Sequence, residues 1–222
     1  MEGHSTSFDI LAFKAYNNTH HERNTTLAES FDAETLVGLV IAHVDADPAS
    51  LRFTPIRTGK HNTSYWVDSE RGRFVLRIAP PDDAGFLFYE RQMMRQEPEL
   101  HGLIRAQTTI PVAKVVGHDF SRTHIDRDYL LMTALPGTPL SDFSGLTRAQ
   151  FQRALRQVGE YLCQLHTLTA AEHLEEEAHG YLGAHRPMEP QPTWAAAFRV
   201  MWNRLLDDVV ACGSYAPDEA QA

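Results

Sequence analysis

The sequence predicts an α+β fold: an antiparallel sheet with one packed helix, followed by a helical region. Three observations carry this. Residues 51–79 form short runs rich in aromatic and β-branched side chains, separated by turn chemistry at GKHN and SERG. Residues 84–106 switch to helical spacing, and two further apolar runs of strand length follow at 110–120 and 128–135. From Thr147 onward apolar residues recur every three to four positions and no strand pattern returns.

Composition sets the outer bounds. With 222 residues, 43% of them hydrophobic, the chain can bury a real core and exceeds one minimal domain. A formal charge of −9 lacks the basic footprint that a nucleic acid or an anionic membrane requires, and suits a cationic small substrate. Cys163 and Cys212 form no CxxC pattern, so a reduced cytosolic protein is expected, with Cys163 as a small core hydrophobe. No stretch reaches the ~20 apolar residues of a membrane span, and the opening residues lack a signal-peptide pattern. The expectation is a soluble, cytoplasmic protein.

The elements follow in order. Residues 1–26 are polar and read as a leader. A helix is then expected, because Leu27, Phe31, Leu36, Val37, Leu39, Val40 and Ile41 fall mostly on one face, and DADPAS ends it as a turn. LRFTPIRTG, TSYWVDS and GRFVLRIA make a three-strand meander. In AGFLFYERQMMRQEPELHGLIRA, Pro98 either kinks the helix or starts a second one. IPVAKVVGHDF and DYLLMTAL are two strands split by SRTHIDR, and PGTPLSDFSG is a linker. Thr147 with Gln150 forms a possible capping box. The helix it opens carries Phe151, Leu155, Val158, Leu162, Leu165 and Leu168, read as a buried stripe. HGYLGAHRPMEPQP is a loop, and Trp194–Val210 a last amphipathic helix.

Several of these pieces, in this order and spacing, resemble the aminoglycoside phosphotransferase family, also called the phosphotransferase enzyme family. They are RTGKHNTSYWV, FVLRIAPP, EPELHGLIR, IPVAKVV, YLLMTALPGTPL, the LCQLHTL helix and the Trp194 region. The resemblance spans roughly residues 52–205. It implies a protein-kinase-like fold, ATP with Mg²⁺ as the phosphate source, and a small-molecule hydroxyl as acceptor: an aminoglycoside-like antibiotic, a sugar or an amino alcohol. It divides the chain into a polar leader and N-terminal helix (1–50), a nucleotide-binding N-lobe (51–135), and a linker with an incomplete helical C-lobe (136–222).

The residues themselves give each piece a physical reading. Gly59 and Asn62 can take backbone angles other residues avoid, so a hairpin tip built this way can bring N–H groups close to phosphates, and Ser64 adds a hydroxyl. The same residues also suit an ordinary hairpin. Arg77 interrupts an apolar strand, stays charged, and can grip phosphates bidentately. Strand alternation puts Arg73 and Arg77 on one face, which equally suits a solvated surface. A phosphate-clamping cation needs a carboxylate to place it, and Glu90 and Glu97 both qualify. The family's spacing to the IPVAKVV strand favours Glu97. By resemblance, Met132 lines the back of an adenine pocket while the backbones of Thr133 and Leu135 face the base edge. His166 reads as a structural histidine at a helix end.

In the family, an HGDxxxxN-like segment follows the Trp194-type helix. Its aspartate orients the acceptor, its asparagine binds Mg²⁺, and a later aspartate completes the metal site. No such segment occurs in residues 1–222. His43-Val44-Asp45 and His124-Ile125-Asp126 have the HxD shape, but Ser50 and Leu131 stand where the asparagine belongs, and Asp142-Phe143-Ser144 imitates DFG inside the linker. The twelve histidines show no HExxH or Cys/His metal spacing. The expectation is therefore a phosphotransferase-family chain truncated before its catalytic loop, with no catalytic or metal residue, binding nucleotide at most. The alternatives are a regulatory or partner-binding protein built on the same lobe, or a truncated gene product.

Overall fold

In the computed structural model, residues 30–57, 61–82, 86–142, 145–168, 178–181, 187–211 and 213 are described. The leader and Gly59 lie outside them. Helix α1 spans Ala33–Ile41, started by Asp32, whose side chain accepts the Thr35 N–H at 2.7 Å. Strands β1 (Arg52–Ile56), β2 (Thr63–Ser69) and β3 (Gly72–Ile78) form the meander. Ser69 closes the β2–β3 turn, its hydroxyl donating to the Gly72 carbonyl at 2.9 Å, and Gly72 sits at φ +120°, a conformation open to glycine. Helix α2 covers Glu97–Gln107, then come β4 (Val115–Asp119) and β5 (Tyr129–Thr133). The five strands form one antiparallel sheet in the order β1-β2-β3-β5-β4. Helices α3 (Arg148–Thr167) and α4 (Trp194–Ala211) follow. No helix of the described residues is long and apolar enough to cross a membrane.

Alternation along the strands divides the core in two. Tyr65, Val67, Phe74, Leu76, Ile78, Tyr129 and Leu131 point to one face, where Leu36, Leu39 and Val40 of α1 pack on them. The opposite face carries Leu130 and Met132, packed with Met94 and Ala113 and flanked by Val75 and Val115. The apolar stripe of α1 is thus the lid of the larger core, at about 1.5–3 kcal/mol for each fully buried aliphatic side chain.

Three expectations need correction. The helix expected over 84–106 is not continuous among the described residues. Residues 88–92 are turns, Gln92 takes a left-handed φ of 54°, Met93–Gln96 is a 3₁₀ turn, and the α-helix starts only at Glu97. Pro98 therefore occupies the first turn, where its missing N–H costs nothing, and it starts the helix instead of kinking it. The α3 stripe is not buried. The Thr147–Gln150 capping box is present, yet Phe151, Leu155, Val158, Leu162 and Leu165 are all at least 40% exposed, because no described element lies over that face. Cys163, on the same helix, is exposed and free.

Candidate nucleotide site

The second face of the sheet carries the candidate site. Arg73, Val75 and Arg77 share it by alternation, but the two arginines have different surroundings. Arg73 is held by its own hairpin, stacked 4.5 Å from the Trp66 ring centroid and paired with Asp68 at 3.1 Å. Arg77 instead reaches α2, where its Nη1 donates to Glu97 Oε2 at 2.5 Å. Arg77 is about three-quarters and Glu97 about four-fifths shielded from solvent.

Glu97 can reach because of where α2 begins. A residue in the first helical turn projects back past the helix start, and a carboxylate there also complements the positive end of the helix dipole. Glu90, the other candidate, is not on this helix. Its carboxylate folds back to accept the Leu87 N–H at 3.0 Å. The structure thus brings Glu97, and not Glu90, to Arg77.

Ser64 lies directly opposite Arg77 across the β2–β3 ladder, so the two side chains are neighbours on the site face. Asn62 stands two residues earlier, at the mouth of the β1–β2 connection and half-buried. Met132 is 7% exposed and lies on this face opposite Val75. From Phe74, opposite Thr133, to Arg77 is three strand positions, roughly 10 Å.

Thr133 has a distinctive bonding pattern. Its N–H donates to the Lys114 carbonyl at 2.9 Å, while the returning Lys114 N–H goes to the Thr133 hydroxyl at 3.0 Å and not to its carbonyl. On the other side, Ala134 N–H donates to the Arg73 carbonyl, which makes Phe74–Thr133 a pair without direct ladder bonds. The Thr133 carbonyl is therefore left out of both ladders among the described residues. Leu135, two residues on, is 48% exposed.

Sequence reasoning missed a charged network beside this site. Asp128 is 1% exposed, and its carboxylate accepts from Arg95 Nε at 2.7 Å, Arg95 Nη2 at 3.0 Å and Arg122 Nε at 3.0 Å. Arg122 also forms a fork on Asp82 at 2.6 and 3.1 Å. These carboxylates hold the Arg122 guanidinium charged even more firmly than usual, and Asp82 is lowered, chiefly by its bond to Arg122. The one signal in the sequence was an aspartate opening the otherwise apolar strand DYLLM.

The segment before α2 also meets the C-terminal helix. Phe88 N–H donates to Asp208 at 2.6 Å, and the Arg204 guanidinium lies 5.8 Å from the Phe88 ring. Arg204 also donates to the Pro187 carbonyl. On the outer side of α4, Trp194, Phe198 and Trp202 are exposed, with ring centroids 6.4 and 6.1 Å apart.

One sheet face thus brings together a carboxylate-held arginine and a neighbouring hydroxyl, with the Thr133 carbonyl left out of the ladders beside it among the described residues. Residues 52–211 match the family model described as Phosphotransferase enzyme family, and the chain belongs to that family. No curated protein matches it closely enough to count as a relative. Among solved structures, it is similar to a Ralstonia eutropha protein described as an aminoglycoside phosphotransferase, at 19% identity and a TM-score of 0.49, covering 64% of this chain and 40% of that one. Aminoglycoside phosphotransferase APH(4)-Ia gives 15% identity and a TM-score of 0.48 over 78% of this chain and 50% of its own. A thermostable mutant of it, in ternary complex with AMP-PNP and hygromycin B, gives 15% and 0.47 over 80% and 55%. The chain spans about half the length of these structures.

Proposed function

We propose that this chain is the nucleotide-binding part of an ATP-dependent phosphotransferase that acts on a small-molecule hydroxyl. The observation that carries the reading is the Arg77–Glu97 ion pair beside Ser64, on the sheet face that also holds Met132, with the unclaimed Thr133 carbonyl at the end of the same strand as Met132. Arg77 would grip the α- and β-phosphates, with Glu97 fixing its direction and Ser64 adding a hydroxyl donor. Asn62, with Gly59 at the hairpin tip, would offer main-chain donors to the same phosphates. The adenine would sit over Met132, its edge meeting the Thr133 carbonyl and the Leu135 backbone. That nucleotide is abundant in the cytoplasm, where both cysteines would stay reduced.

Among the described residues no group of three or more His, Cys, Asp or Glu side chains is placed to hold a metal ion. Mg²⁺ would arrive bound to the phosphates, and no transfer step is assigned to these residues. Calorimetric titration of the 222-residue chain with MgATP tests the reading. Saturable one-to-one binding, weakened by Arg77→Ala, supports it, and no heat of binding at millimolar nucleotide overturns it. With a panel of aminoglycosides, sugars and amino alcohols, the same protein is expected to give no phosphorylated product above background.

A further inference from the structure

We infer that Asp128 is a positioning residue for the phosphate clamp, because this single buried position fixes both chain segments from which Arg77 and Glu97 project. The inference rests on the nucleotide-binding reading and deepens it.

The geometry converges from two directions. Through its main chain, Asp128 accepts the Ala79 N–H at 2.8 Å, pinning β3 two residues beyond Arg77. Through its side chain, it takes both Arg95 nitrogens, pinning the 3₁₀ turn two residues before Glu97. Arg77 itself is paired across the ladder with Leu130, two residues beyond Asp128. A bidentate guanidinium–carboxylate contact allows little rotation, so Arg95 cannot shift along the strand end without breaking it. Arg95 is further held by the Phe120 carbonyl at 3.3 Å, with its guanidinium 5.7 Å from the Phe120 ring.

Arg122 closes the same arrangement. It adopts a left-handed φ of 61°, a strained state for a side chain of its size that persists only where surrounding contacts over-determine it. Those contacts are Asp128 on one side and Asp82, at the end of the described stretch after β3, on the other. Arg95 and Arg122 face Asp128 and Asp82, and Arg127 adds to the positive field at Asp82. A buried carboxylate with two cationic partners is costly to disturb, because removing one partner leaves the others unmatched. The Arg77–Glu97 pair alone, partly open to solvent, lacks that rigidity.

The test separates positioning from general stability. The Arg77 Nε–Hε signal is followed in the apo full chain by ¹⁵N NMR, and MgATP affinity is measured by calorimetry, for Asp128→Asn, Arg95→Gln, Glu97→Gln and the Asp128→Asn/Glu97→Gln double variant. Asp128→Asn is expected to move the Arg77 signal toward its position in Glu97→Gln and to weaken MgATP by about tenfold. In the Glu97→Gln background the same change is expected to cost no more than about twofold, since the pair it serves is already broken. An unmoved Arg77 signal in folded Asp128→Asn, or an equal loss in both backgrounds, overturns the inference. If Asp128→Asn does not fold, Arg95→Gln, at a partly exposed position, gives the same two readings. If no variant and no wild-type protein binds MgATP, the nucleotide reading fails, while the apo Arg77 signal still decides the positioning claim.

Discussion

His43 occupies the space that any side chain at position 117 would need. A Cβ placed on Gly117 would lie 2.2 Å from His43 Cγ and 2.3 Å from its Nδ1. The glycine sits at the β4 irregularity between Val115 and Gly117, and the His43 ring inserted there reaches Tyr129 Oη at 3.2 Å. Gly117→Ala is accordingly expected to destabilise the fold by about 1–3 kcal/mol. In a His43→Ala background most of that cost should vanish, which urea denaturation of the four proteins measures. An equal cost in both backgrounds would mean the clash is not with His43.

The same histidine gives stability a pH dependence. Burial lowers its pKa below the usual value near 6.5, with His118 and His124 adding to the effect and Asp119 opposing it. Above that value both folded and unfolded chains hold a neutral ring. As pH falls below it, the unfolded chain takes up the proton first, so stability drops until the folded value is passed. His43→Gln should flatten the stability profile between about pH 7 and 5 relative to wild type. Asp119 acts at lower pH. Bonds from Ser121 and His124 hold it at about 2 against a usual 3.8, so its contribution is present above 3.8 and is lost as pH falls toward 2.

The two glutamates before and within α2 should separate cleanly. Glu97→Gln is expected to weaken MgATP by about tenfold, because it removes the charge that directs Arg77. Glu90→Gln should leave affinity unchanged, since that carboxylate serves only the Leu87 N–H among the described residues. Comparable losses from both substitutions would reject the assignment of Glu97 as the partner.

Helix α3 and helix α1 should respond in opposite ways to core-type mutations. Leu155→Gln and Leu162→Gln, at sites 52% and 47% exposed, are expected to shift stability by no more than about 0.5 kcal/mol and to reduce self-association in light scattering. Leu39→Ala, at a site 1% exposed, is expected to cost about 2–5 kcal/mol.

Much of the sheet was legible because strand chemistry is local. Alternation placed Arg73 and Arg77 on one face, and the turn residues marked the β2–β3 hairpin. Alternation alone did not separate the two arginines, since only the structure shows Trp66 and Asp68 holding Arg73 in its own hairpin while Arg77 reaches the helix carboxylate. Periodicity also misled at 86–96, where the spacing of apolar residues mimics a helix but the chain breaks at Gln92, ahead of Arg95 and Glu97. In α3 the periodicity correctly gave an amphipathic helix, yet periodicity reports a face and not what lies over it. Arg95 and Asp128 are 33 residues apart, so their contact left no local trace.

Helix α1 lies upstream of the family-matched span, which begins at residue 52, yet Leu36, Leu39 and Val40 form one wall of the larger core. A protein trimmed to start at Arg52 would leave Tyr65, Leu76, Ile78, Tyr129 and Leu131 facing water over a wide patch. The stretch that sequence similarity recognises is therefore shorter than the unit that folds, and the boundary for recombinant expression belongs before Phe31.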